Sequence, residues 1–258
     1  MRALHLAPHP DDEILGAGAT LTALREAGHD VTNLGVSLGR RAEREHRRAE
    51  LEAACERLAL PLEVLEPPLE ISVGDGDDLD AAEARLTALL LERLGDLDLI
   101  IAPSPHDAHP GHELVGRAAV AATAAAEVGP RLWLWGIWAS LPLPTLISGF
   151  DEATLARLLE ALAAHASQIT RNDYESLLRA KATADAILGP ERVLGYSSRR
   201  GDQPYAELLC ELLPSRGDWL LGSPRVLDSV SPLSPPTGTD AADWLTGPSP
   251  NALLRESD

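Results

Sequence analysis

Apolar and polar positions along this chain alternate between two periods. Leu4-His5-Leu6-Ala7 is an apolar run of strand length, and Leu15, Leu21 and Leu24 mark a helix from Ile14 to Ala27 that Gly28 stops. Val31 to Val36 predicts a second strand. Arg41 to Leu58 predicts a helix with charges on one face and Leu51, Ala54, Cys55 and Leu58 on the other, followed after Pro61 by a strand from Leu62 to Leu65. Leu79 to Leu94 is again helical, Asp98 to Ala102 is strand-like, Leu114 to Val128 is an Ala-rich helix, and Arg131 to Trp138 supplies a fifth strand. From Asp151 to Leu188 the pattern is helical, with Asp151 and Asn172 as N-caps, and it loosens into loops around Gly195 to Pro204.

Strands separated by helices predict a parallel sheet, because parallel neighbours need long crossover connections that are usually helical. The expected fold is therefore α/β: a Rossmann-like, mainly parallel sheet with helices on both faces. Ligands of such sheets collect at the carboxyl ends of strands, where the strand order reverses. This directs attention to the loops after Ala7 and after Ala102. With 258 residues, 45% of them hydrophobic, the chain can bury one sizeable core. We expect one domain over residues 1–223 and a Ser/Pro/Gly-rich tail over 224–258, in which Trp244 and Leu245 offer a docking point.

Charge narrows the partners. Acids outnumber bases 40 to 22, a formal charge of −18, which argues against nucleic acid and against an anionic membrane surface. Apolar stretches meet charges or prolines before they reach membrane length, so no membrane span is expected. Cys55 and Cys210 form neither a metal-spaced set nor a disulfide framework and are expected to pack as small apolar residues. Asp11-Asp12-Glu13 follows the first strand with no apolar leader before it, so a cytoplasmic protein is expected. Homo-oligomerisation stays open.

The two directed loops are rich in ligand-type side chains. One reads Pro8-His9-Pro10-Asp11-Asp12-Glu13 and the other His106-Asp107-Ala108-His109-Pro110-Gly111-His112-Glu113. Zinc takes imidazole nitrogen and carboxylate oxygen, and a catalytic site keeps a position for water beside three protein ligands. His9, Asp12 and one or two of the downstream histidines can supply that set; the competing account has the aspartates capping a helix and the histidines solvated. Other signals are bland. Gly16-Ala17-Gly18 lacks the third glycine of a dinucleotide loop, where Leu21 stands, and reads as small-residue packing. Asp75 to Asp80 has a calcium-loop look but Leu86 stands where an EF-hand needs Glu, so a polar loop and helix cap are expected. Trp133, Trp135 and Trp138 read as core or subunit packing in preference to a sugar platform, and His5, His29 and His46 as structural or solvated. His106 is left outside the ligand set.

His9-Pro10-Asp11-Asp12-Glu13 with His109-Pro110-Gly111-His112 resembles the zinc-dependent GlcNAc-phosphatidylinositol de-N-acetylase family, also called PIG-L or LmbE-like. Arg47 and Glu50 resemble its Arg-x-x-Glu helix, His165-Ala166-Ser167-Gln168 a later helical segment, and Tyr205-Ala206-Glu207 its close, so the resemblance runs to about Glu207. It implies an LmbE-like fold and removal of an N-acetyl group from an N-acetylglucosamine conjugate. It further implies His9, Asp12 and His112 as metal ligands, Asp11 as general base, His109 as electrophile or general acid, and Arg47 facing the sugar. Zinc is the expected metal, although two histidines and one carboxylate also suit Fe2+. Alternatives are a metal-binding member with weak or no deacetylase activity, and an amidase acting on a thiol-sugar conjugate. One departure stands out: Gly111 occupies the position where many members carry Asp, which would alter the environment of His109 unless Asp107 substitutes.

Overall fold

The computed structural model describes residues 1–71, 78–126, 129–215, 218–233 and 236–240. Five parallel strands form the centre: β1 (Arg2–Ala7), β2 (Asp30–Ser37), β3 (Leu62–Leu69), β4 (Leu99–Pro103) and β5 (Arg131–Trp135). They lie in the order β3-β2-β1-β4-β5. The order reverses between β1 and β4, so the carboxyl ends of these two strands flank the crevice where such sheets bind ligands. The expected mainly parallel Rossmann-like sheet is thus observed.

Alternation along the strands decides which helices cover which face. Ala3, Leu99, Ile101, Trp133 and Trp135 face one core. There they meet α1 (Asp12–Leu15), α2 (Gly18–Glu26), α3 (Arg44–Arg57), α6 (Glu152–Leu162) and α8 (Tyr174–Leu194). Leu4, Leu6, Ile100, Ala102, Leu132 and Leu134 face the other, under α4 (Leu79–Arg93) and α5 (Pro110–Ala124). Cys55 and Cys210 are free and buried, one in each core, as expected.

Several boundaries differ from the sequence pattern. The single helix expected over Ile14 to Ala27 breaks into α1 and α2 because Gly16 is pressed against Trp135: a Cβ there would lie 2.8 Å from the indole and 2.9 Å from the Asp12 carbonyl. Gly18 is tight against Leu158, so the small residues do serve packing. A 3-10 turn at Arg41–Glu43 precedes α3, β3 runs on to Leu69, and β5 stops at Trp135. Helix α5 starts at Pro110, not Leu114, because Pro fits the first turn, where its missing N–H costs nothing.

The second half holds more strand than its pattern shows. After β6 (Leu146–Phe150), α6, α7 (Ala166–Arg171) and α8, strand β7 (Tyr205–Ser215) runs antiparallel to β5 and to β6. Strand β8 (Asp218–Gly222) adds to β7, β9 (Arg225–Val226) to β6, and β10 (Pro236–Asp240) to β8, so the sheet is mixed. Asp151 caps α6 as expected, but α8 is capped by Asp173, not Asn172. Asp78 caps α4; the rest of the calcium-like loop at 72–77, and Trp244 and Leu245, lie outside the described residues.

Candidate active site

Strand β1 delivers the chain into a tight turn whose backbone is unusual at one residue. Asp11 has φ 113°, in the left-handed region that side chains other than Gly rarely enter. The strained backbone is held on both sides. The Asp11 N–H donates to Glu13 Oε2 at 2.9 Å, and the N–H groups of Ile14 and Leu15 donate to the Asp11 carbonyl at 3.0 Å. Glu13 in turn bonds His165 Nε2 at 2.7 Å through its other oxygen, both side chains fully buried. Strain maintained by such surroundings clusters at functional sites.

Asp12 opens α1, and His112 sits in the first turn of α5. Their side chains meet below the β1–β4 crevice. Asp12 Oδ2 lies 3.2 Å from His9 Nδ1 and 3.2 Å from His112 Nε2. His109, the N-cap of α5, completes a group of three histidines whose ligand atoms all lie within 4.8 Å of one another. Its Nδ1 is buried with no hydrogen-bond partner. Two ligands about 2.0–2.1 Å from a tetrahedral zinc stand roughly 3.3 Å apart, so the pair of 3.2 Å edges on Asp12 fits a coordination polyhedron. The donor set of imidazole and carboxylate fits a borderline divalent metal.

Charge is tightly coupled here. Burial pulls the His112 imidazolium down, but the Asp12 and Asp107 carboxylates outweigh it and push it up to about 10. Burial opposes ionisation of Asp12 too, yet His112 and His9 hold it well below the usual carboxylate range. Burial, followed by the Asp12 charge, raises Asp11 to about 8 against the pull of Arg47. Burial and the neighbouring His112 and His9 depress His109 to about 3.

Arg47 is buried, donates to the Pro10 carbonyl, and lies 3.9 Å from Asp11 Oδ2, while its Nε has no partner. Glu50 accepts from the Ser167 N–H at 2.8 Å and hydroxyl at 2.7 Å, tying α3 to the start of α7. Glu207 accepts from the Ala19 and Thr20 N–H groups, both at 2.8 Å, and from the Thr20 hydroxyl at 2.6 Å. These late motif residues brace the site from α2, α6–α8 and β7.

The cavity above the histidines measures about 430 Å³. His9, Asp11, Asp12, Arg47, His109 and His112 all line it, so every site residue expected from sequence converges on one pocket. Trp138 does not join the core: it is 46% exposed on the pocket wall, its ring stacked near-parallel on His109 with centroids 5.9 Å apart. His46 is exposed, as expected, and lines the rim. Arg40, Arg171 and Tyr174 also line it and were not singled out. They carry no local motif, and only the approach of α7 and of the loop after β2 puts them there. Asp107 does not replace a carboxylate at Gly111: its Oδ2 bonds His112 Nδ1 at 2.8 Å, not His109.

Residues 4–123 match the family described as PIG-L: GlcNAc-PI de-N-acetylase. The chain is 29% identical, over 184 residues, to a probable N-acetyl-alpha-D-glucosaminyl L-malate deacetylase 2 of Bacillus cereus, covering 62% of this chain and 80% of that protein. The N,N'-diacetylchitobiose deacetylase of Pyrococcus horikoshii superposes with a TM-score of 0.58 at 20% identity, covering 81% of this chain and 83% of the other. A 4-carboxy-2-hydroxymuconate hydratase of Pseudomonas putida KT2440 does so with a TM-score of 0.61 at 20% identity, over 83% and 97%. At these identities the two structures share the fold alone, and one fold carrying two chemistries leaves the reaction to be argued from the site.

Proposed function

We propose that this protein is a PIG-L-type divalent-metal N-deacetylase that hydrolyses the acetamide of an N-acetylglucosamine conjugate, with His9, Asp12 and His112 holding zinc. The observation that carries this is Asp12 Oδ2, shared at 3.2 Å by His9 and His112, with the Asp11 carboxyl beside it in a pocket of sugar-accommodating size. The family description and the curated B. cereus relative support the substrate class. Zinc bound there supplies Lewis acidity to a water and to the amide carbonyl.

The chain's own groups then divide the proton work. Asp11 takes a proton from the attacking water as the carbon–oxygen bond forms, and returns it to the amine nitrogen as the carbon–nitrogen bond breaks. Its elevated pKa, near 8, suits a group that must both accept and give a proton near neutrality. His109 is neutral at working pH, so it serves as an N–H donor to the oxygen that gains charge, not as an imidazolium acid. Arg47 anchors the Pro10–Asp11 turn and lines the pocket, where it would face the sugar. We place the enzyme in the cytoplasm; among the described residues no helix is long and apolar enough to cross a membrane.

Free-amine release from a panel of N-acetylglucosaminides, measured before chelation, after it, and after zinc is restored, tests this. Turnover lost on chelation and regained with zinc is expected. Asp11→Asn should lower the rate by about 10²–10⁴-fold while zinc content stays at that of the wild type. Bound zinc without turnover on any member would point to a metal-binding protein or to another amide, such as a thiol-sugar conjugate.

A further inference from the structure

Asp107 is fully buried, and its two carboxylate oxygens face different parts of the site. Oδ2 accepts from His112 Nδ1 at 2.8 Å. Oδ1 accepts three consecutive backbone N–H groups, from Ile137 at 2.8 Å, Trp138 at 3.1 Å and Ala139 at 3.2 Å. The turn closes this tightly because residue 136 is Gly: a Cβ there would lie 3.0 Å from Asp107 Oδ1 and 3.0 Å from the Ala139 carbonyl. The same turn carries Trp138 onto the pocket wall against His109.

We propose that Asp107 is a positioning residue with two tasks: it fixes the tautomer of His112 so that Nε2 offers a lone pair to the metal site, and it holds the 136–139 turn so that Trp138 forms a wall for the sugar. This rests on the metal site and pocket proposed above. A carboxylate only accepts hydrogen bonds, so Nδ1 keeps its proton on Asp107, and Nε2 is the nitrogen that would give up its proton to a metal. Such outer carboxylates hold a ligating imidazole in one orientation. Aromatic faces pack well against apolar faces, and Trp138, 46% exposed, lines the pocket.

Asparagine separates the two tasks. In Asp107→Asn the amide oxygen stays with the three N–H groups, because reversing it would break three hydrogen bonds to keep one. The amide NH2 then faces His112 Nδ1 and favours the tautomer with its proton on Nε2. Zinc titration of the metal-free protein against a chromogenic chelator should give an affinity about 10–100-fold weaker than wild type. The metal-free unfolding midpoint and, at saturating zinc, KM for the best N-acetylglucosaminide should stay near wild type. Asp107→Ala should lose zinc affinity to a similar extent and raise KM as well. Trp138→Ala should raise KM with zinc affinity intact. Asp107→Asn binding zinc as tightly as wild type overturns the first task, and so does Asp107→Asn unfolding as early as Asp107→Ala without zinc. An unchanged KM in Trp138→Ala overturns the second. A wild-type protein with no saturable zinc binding sinks the metal site itself. A zinc-binding wild type with no deacetylase turnover sinks the substrate class and the sugar wall together, and leaves the titration to decide the first task.

Discussion

The smallest side chain in the site decides how closely the two histidine-bearing loops approach. A Cβ on Gly111 would lie 2.9 Å from His9 Cε1, 3.0 Å from its Nε2 and 3.2 Å from the Ile71 carbonyl. The loop after β1 and the first turn of α5 therefore fit only because residue 111 has no side chain. A carboxylate at this position would displace His9 instead of tuning His109. Gly111→Ala is expected to push the His9 ring aside and weaken zinc binding by about 10–100-fold, read by calorimetric titration of the metal-free protein. Wild-type affinity in that variant would mean that the His9 loop gives way without harm. The motif in the sequence named the residues; it carried no sign that Gly111 is a steric fit to His9, since His9 is remote in sequence.

Helix ends and helix–helix braces set the next level. Helix α2 has no side-chain cap of its own, and its first N–H groups are met by Glu207 from β7. Glu207→Ala leaves buried donors on Ala19 and Thr20 without an acceptor, and is expected to cost about 3 kcal/mol in urea unfolding. A loss under half of that would indicate that water replaces the carboxylate. The α1–α7 brace is pH-dependent. Burial pulls the His165 imidazolium down, but the Glu13 charge and hydrogen bond outweigh it, so the folded-state pKa lies above 6.5. A raised histidine pKa stabilises the fold fully below the unfolded value, and the contribution is lost as pH rises through the folded value. The stability margin of wild type over His165→Gln should therefore be largest below pH 6.5 and shrink on the alkaline side. A margin that grows with pH would contradict the pairing. Neither brace was legible locally: the motifs that hold Glu13 and Glu207 name no partner for them until α7 is folded against α1 and β7 against α2.

At the scale of the molecule, the site is a joint between the two halves of the chain. The ligands proposed for it come from the loops after β1 and β4, while α7, α8 and the turn after β5 wall the pocket. A metal held as proposed by His9, Asp12 and His112 would bind the folded joint and not the unfolded chain. Free zinc at 100 times its dissociation constant should then raise unfolding free energy by about 2.7 kcal/mol, seen as a higher calorimetric midpoint that chelation reverses. No shift with zinc would argue against a site organised only by folding.

Local pattern sufficed for much of this. Periods of two and 3.6 residues specify strands and helices over the first half, and their alternation specifies a parallel sheet, because few connections satisfy it. Two short motifs at strand ends, His9 to Glu13 and His109 to His112, were enough to name His9, Asp11, Asp12, His109 and His112, which all line the pocket. What lay beyond the sequence was whatever depends on distant partners. The antiparallel β7 reads as an apolar run until β5 and β6 hydrogen-bond to it. Trp138 leaves its strand because the Asp107 carboxylate captures the turn behind it. Which way a side chain faces at such points is fixed by hydrogen bonds and steric fit between segments far apart in the chain, and only tertiary structure brings those segments together.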